Sequence, residues 1–133
     1  MDSRKTNIPL LNSSISAGFP SPADDYEEEN IDLNEHLIKN PFSTFFLKVK
    51  GSSMINAGIL DKDLIIVDKS LIPKPGNIVI AMIDGEFTIK KLKIKNGKLY
   101  LKAENNNYQD IDFKDYREIQ IWGVVIYSVH DFK

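Results

Sequence analysis

Two dipeptides, Asp84-Gly85 and Asn96-Gly97, constrain the fold more than any other feature of the chain. Each pairs a residue that tolerates positive φ with a glycine, the combination that a two-residue hairpin turn demands. Strand-like runs flank both. Ile78 to Ile83 leads into the first turn, Glu86 to Ile94 returns from it, and Leu99-Tyr100-Leu101 follows the second. Upstream, Phe45, Leu47 and Val49 alternate with Phe46, Lys48 and Lys50, the period of a strand with one face covered. Leu64-Ile65-Ile66-Val67 is continuously apolar, as a doubly buried strand requires, and Ile119 to Val129 reads as a last strand with Trp122 and Gly123 inside it. Glu104 to Gln109 is a polar loop. Short strands joined by tight turns predict a mainly β, antiparallel domain. One short helix is expected, with Asp32 as N-cap, Glu35 as its capping-box partner, Leu33, Leu37 and Ile38 on one face, and Asn40-Pro41 as the stop.

Residues 1–30 differ from this pattern. They are rich in serine, carry an acidic run at Asp24, Asp25 and Glu27 to Glu29, and show little hydrophobic periodicity. They predict an extended, mobile N-terminal arm ahead of a single domain at 31–133. Within the arm, Ile15-Ser16-Ala17-Gly18-Phe19-Pro20 mixes small and apolar residues, as a segment lying in a groove would. The chain of 133 residues is 42% hydrophobic, enough for one real core. A net charge of −2 and a pI near 5.7 disfavour a general nucleic-acid binder, although Lys90 to Lys98 is locally basic. Having no cysteine, the chain has no disulfide framework, thiolate metal site or cysteine nucleophile, which fits a reducing cytoplasm. His36 and His130 lack metal-ligand spacing and read as surface or helix-face residues, so neither metal nor cofactor is expected. No stretch reaches the roughly 18 apolar residues of a membrane helix. The start Met-Asp-Ser-Arg-Lys lacks a secretory signal's apolar core, so a soluble cytoplasmic protein is expected.

Nucleophilic chemistry in such a chain falls most naturally to a serine and a lysine. Ser53 sits in Lys50-Gly51-Ser52-Ser53-Met54, where a glycine permits a sharp turn close to a substrate carbonyl. Backbone N–H groups around Ser52 and Ser53 are placed to form an oxyanion hole, and Met54 and Ile55 are expected to anchor the turn in the core. A lysine serves as base if burial keeps its amine neutral. Strand parity singles out Lys90: it shares a face with Thr88, Leu92 and Ile94, whereas Lys91, Lys93 and Lys95 form a solvated row on the other. Thr88 is placed to orient the amine. Taken alone, Gly-Ser-Ser-Met is more often a polar turn and a strand lysine more often a solvated one. The residues by themselves therefore support a soluble β domain with a candidate Ser-Lys site.

A set of ordered motifs adds to this reading. Ala17-Gly18-Phe19-Pro20-Ser21-Pro22-Ala23-Asp24-Asp25-Tyr26 and Ile31-Asp32-Leu33-Asn34 are followed by Gly51-Ser52-Ser53-Met54-Ile55. Then come Gly58-Ile59-Leu60-Asp61-Lys62-Asp63-Leu64-Ile65-Ile66-Val67-Asp68, Gly76-Asn77-Ile78-Val79-Ile80-Ala81, Asp84-Gly85-Glu86-Phe87-Thr88-Ile89-Lys90-Lys91-Leu92 and Trp122-Gly123-Val124-Val125-Ile126. From about Ala17 onward the chain resembles the LexA/UmuD group of Ser-Lys peptidases, family S24. The resemblance implies a β-clip catalytic domain with Ser53 as nucleophile, Lys90 as general base and Ala17-Gly18 as the scissile bond, the arm being cut in cis or by a partner subunit. It further implies a homodimer whose self-cleavage is promoted by a RecA filament on single-stranded DNA. The shortened product would join a UmuC-like Y-family catalytic subunit for error-prone translesion synthesis in the SOS response. No sequence-specific DNA binding is expected, because the segment ahead of Ala17 is too short for the DNA-binding domain of a repressor. Ser52 is a departure from the group's pattern and sets a second hydroxyl beside the nucleophile position. Two other readings stand: a non-cleaving dimeric module that regulates a polymerase, and a leader peptidase, which would normally carry a membrane anchor.

Overall fold

The computed structural model of the chain describes residues 8–11, 14–20, 28–115 and 118–133. The chain divides into two units, residues 1–39 and 40–133. In the first, β1 (Ile8–Leu11) pairs antiparallel with β2 (Glu28–Ile31), Ile8 opposite Ile31 and Leu11 opposite Glu28. The extended arm expected here contained no such ladder. The reason is physical: all four residues of β1 are exposed, so no alternation of apolar and polar positions marks it. A short helix, α1 (Leu33–Leu37), follows, and its N-cap is Asp32, whose Oδ1 accepts the Asn34 amide at 3.0 Å. The chain turns extended at Ile38, before Asn40-Pro41. Of the anticipated apolar face, Leu37 and Ile38 are half-buried and Leu33 is exposed.

The second unit is a seven-stranded sheet. Its strands are β3 (Thr44–Lys48), β4 (Leu64–Asp68), β5 (Ile78–Ile83), β6 (Glu86–Lys95), β7 (Lys98–Lys102), β8 (Ile111–Asp112) and β9 (Ile119–Val129). The order across the sheet is β3-β4-β9-β5-β6-β7-β8, and every neighbouring pair is antiparallel. Asp84 and Gly85 take φ of 47° and 86°, and Asn96 and Gly97 take 53° and 74°. Both pairs are thus left-handed turns that fold β5 onto β6 and β6 onto β7. The core forms two clusters. Met54, Ile59, Ile65, Val67 and Ile80 build one; Val79, Ala81, Leu92, Leu101 and Val124 build the other. β5 feeds both, alternate residues to each, which is why its sequence is continuously apolar. Each buried Val, Leu, Ile or Met side chain among them stabilises the fold by roughly 1.5–3 kcal/mol. Among the described residues, no helix is long and apolar enough to cross a membrane.

β9 runs through the middle of this sheet with two irregularities. Against β5, Ile80 faces Gly123 and Ala81 faces Ile121, so Trp122 is the extra residue of a bulge. Trp122 packs edge-on against Phe45 and Phe87, with Lys69 Nζ 4.3 Å above its ring. At Gly123 the neighbouring strand comes too close for a side chain: an added Cβ would meet Val67 Cγ1 at 2.5 Å and the Asp68 carbonyl at 3.4 Å. Gly123→Ala is therefore expected to cost about 1–3 kcal/mol, seen as a lowered urea midpoint. An unchanged midpoint would mean that Val67 moves aside freely.

Candidate active site

Ser53 rides on a loop that is closed at its neck. The Val49 amide donates to the Asp63 carbonyl at 2.9 Å, and the Lys62 amide donates to the Val49 carbonyl at 2.8 Å. Asp63 is buried, and its carboxylate accepts from the Leu60 amide at 2.9 Å and the Ser128 hydroxyl at 3.0 Å, and pairs with His130 Nδ1. Burial alone would raise its pKa; the bonds from Leu60, His130 and Ser128 outweigh that and hold it below the usual carboxylate range. Inside the loop, Gly51 has φ of 98°, a backbone state that glycine adopts without strain, and its amide donates to Asp61 Oδ1 at 2.7 Å. Ser53 then precedes a single 3-10 turn at Ile55–Ala57. Met54 is fully buried in the first core cluster. Ile55, expected to anchor the turn with it, is instead 45% exposed, because the 3-10 turn swings it to the opposite side.

Lys90 comes from the middle of β6, opposite Val79 of β5. It is buried, whereas Lys91 is half-buried and pairs with Glu104 at 3.4 Å. Its Nζ donates to Thr88 Oγ1 at 2.9 Å and to the Ile89 carbonyl at 3.0 Å, and lies 3.3 Å from Ser53 Oγ. Among the described residues no carboxylate pairs with it. Burial without a counter-charge pushes the amine below the ordinary lysine range. The contacts suit a neutral amine, which has two N–H bonds and one lone pair. The Ile89 carbonyl can only accept and Thr88 Oγ1 accepts at the shorter distance, so the lone pair is left for the Ser53 hydroxyl to donate to. An open groove leads up to the pair, lined by Leu47, Val49, Phe87 and Ile89 beside Ser53 and Thr88.

Of the residues singled out in the sequence, Ser53, Lys90 and Thr88 stand together. Ser52 adjoins them; its Oγ is 3.4 Å from the Tyr108 hydroxyl and its carbonyl accepts from Asn105 Nδ2 at 2.8 Å. Ala17 and Gly18 belong to the other unit, where they lie exposed in a bend between β1 and β2. Sequence reasoning missed Asn105, Asp61 and Asp63; it read His130 as a surface residue, and His130 is exposed, but its pairing with the buried Asp63 was not foreseen. Their roles rest on side chain-to-backbone and side chain-to-side chain bonds across the fold, which leave no periodic mark.

The chain has relatives among known proteins. The family model described as Peptidase S24-like matches residues 9–126. "Protein MucA" of Salmonella typhimurium is 39% identical over 127 residues, covering 96% of this chain and 87% of its own. "Protein SamA" of Salmonella typhimurium is 43% identical over 126 residues, covering 95% and 87%. The "LexA repressor" of Clostridium perfringens is 39% identical over 109 residues, covering 82% of this chain and 53% of its own. Because the family match runs from the first described strand into the last, through both Ser53 and Lys90, the chain belongs to the S24-like peptidase family.

Proposed function

We propose that this protein is a serine autopeptidase that cuts its own Ala17-Gly18 bond with a Ser53-Lys90 dyad. The observation that carries the reading is a buried, uncompensated amine 3.3 Å from a serine hydroxyl on a tightly held turn. Neutral Lys90 takes the Ser53 proton as Oγ bonds to the Ala17 carbonyl carbon. The oxyanion is received by backbone N–H groups at Ser52 and Ser53. The Lys90 ammonium then protonates the Gly18 nitrogen, the C–N bond breaks, and an Ala17 ester remains on Ser53. Water attacks the ester, giving one proton to Lys90; the ester C–O bond then breaks, Lys90 passes that proton to the departing Ser53 Oγ, and residues 1–17 leave with a new carboxylate. Thr88 fixes the amine by accepting from it at Oγ1. Because the substrate is tethered, in cis or through a partner subunit, its effective concentration is high and slow chemistry suffices.

The family and the relatives support a wider setting for this cut. In it the protein is a cytoplasmic homodimer with the cleavage site in an N-terminal segment at 1–30 and a peptidase domain at 31–133. A RecA filament on single-stranded DNA stimulates cleavage after DNA damage, and the shortened form serves a Y-family translesion polymerase. Intact mass after incubation at rising pH tests the cut. The wild type should yield a species beginning at Gly18, and Ser53→Ala should not. The rate should climb about tenfold per pH unit while Lys90 is mostly protonated, then level off once it is neutral, with the midpoint below the ordinary lysine value because burial lowers it. A rate that ignores pH would remove Lys90 as the base. Absence of the product, even with RecA filament added, would leave a binding module in place of a peptidase.

A further inference from the structure

The loop that follows β7 grips the nucleophile turn from both sides. The Asn56 amide, just after Ser53, donates to the Glu104 carbonyl at 2.8 Å. Just before Ser53, the Ser52 carbonyl accepts from Asn105 Nδ2 at 2.8 Å in a partly buried contact. The Glu104 carboxylate reaches Lys91 at 3.4 Å, the neighbour of Lys90 on β6. Asn105 itself has no freedom to turn over. Its Oδ1 accepts the Asn107 amide at 3.0 Å, so the end that faces Ser52 is the N–H end. Its carbonyl also closes its own loop by accepting from the Tyr108 amide at 3.1 Å.

The Ser52 carbonyl and the Ser53 N–H are the two ends of one peptide plane. The bond is trans, so the two groups point in opposite directions, and pinning one aims the other. The Ile55 amide also donates to the Ser52 carbonyl, but at 3.2 Å, the longer contact. We propose that Asn105 is a positioning residue which, by holding the Ser52 carbonyl, aims the Ser53 N–H at the oxyanion that forms on the attacked carbonyl. The inference rests on the autopeptidase reading of the Ser53-Lys90 pair and adds to it a residue that touches neither substrate nor Oγ. An oxyanion donor acts only if it is already oriented when charge develops, because reorientation during the reaction would consume the gain.

Asn105→Asp tests it with the full-length protein. The change preserves size and the acceptor for the Asn107 amide but replaces the donor with a carboxylate oxygen that repels the Ser52 carbonyl. Two rates are read across pH: self-cleavage by intact mass, and modification of Ser53 by a fluorophosphonate. In the second reaction Ser53 Oγ bonds to phosphorus, fluoride leaves and the proton passes to Lys90, with the phosphoryl oxygen in the oxyanion position. Loss of a whole oxyanion donor costs about 100- to 1000-fold. A misaimed one is expected to slow both plateau rates by about 10- to 100-fold. Asn105→Ala, which brings no charge near the dyad, should slow them by as much with the pH midpoint unmoved because Lys90 stays buried. Wild-type plateau rates, a midpoint displaced towards ordinary lysine in Asn105→Ala, or a loss that follows unfolding in a thermal scan would each overturn the proposal. A wild type that is labelled at Ser53 but leaves Ala17-Gly18 intact would refute the self-cleavage reading alone, and the labelling rates would still judge Asn105. A wild type that neither cleaves nor is labelled would sink both.

Discussion

Lys90→Ala is expected to abolish self-cleavage, a loss of at least about 1000-fold, while the domain stays folded. Among the described residues, no other base is bonded to Ser53 Oγ. Lys90→Met is the more informative partner. It fills the same volume and removes a group that the interior disfavours in its charged form. Because burial depresses the folded-state pKa, the unfolded chain binds more protons between that value and the ordinary lysine value. Wild-type stability therefore rises with pH across this window, and below it the fold bears the full cost of a buried ammonium. At neutral pH, Lys90→Met should raise stability by about 1 kcal/mol, read as a higher thermal midpoint, with cleavage gone. A lower midpoint would show that the bonds to Thr88 and Ile89 are worth more than the desolvation they accompany.

The largest stability loss should come from Asp63. Its carboxylate satisfies the Leu60 amide, the Ser128 hydroxyl and His130 inside the protein, and its backbone closes the neck of the Ser53 loop. Asp63→Ala removes the buried acceptor of three partners at once and is expected to cost about 3 kcal/mol. The sign with pH follows from the depressed pKa. The contribution is complete above the ordinary carboxylate value of 3.8 and is lost as pH falls below it towards the folded value. Asp68, which accepts from Asn40, Ser43 and twice from Ser70, adds an acid limb of the same sign. Urea midpoints between about pH 7 and 3 should fall for the wild type, and less steeply for Asp63→Asn. Equal slopes would mean that Asp63 does not titrate with unfolding.

Much of the second unit was legible because its signals are local. Asp84-Gly85 and Asn96-Gly97 specify their turns by φ alone, and Lys90 is separated from Lys91 by the parity of a strand. Signals failed where structure depends on partners distant in sequence. β1 is exposed along its whole length and β8 is two residues long, so neither carries a period. Asn105 looks like any residue of an Asn-rich loop until the Ser52 carbonyl is beside it. His130 is the surface residue it looks like, but nothing local marks its pairing with Asp63 beneath it. Ile55 shows the reverse failure: adjacency to the buried Met54 suggested a shared anchor, but a 3-10 turn separates neighbours by about 120° and sends one of them outward.

The place of β9 makes one strand answerable for both halves of the candidate site. In the sheet, the β3–β4 ladder, which frames the Ser53 loop, meets the β5 to β8 run, which bears Lys90, through β9. That strand also delivers Ser128, and His130 just beyond it, to the neck of the Ser53 loop. β9 is thus a shared spine: a change that loosens it should disturb the settings of Ser53 and Lys90 together, where a change in either ladder alone disturbs one of them.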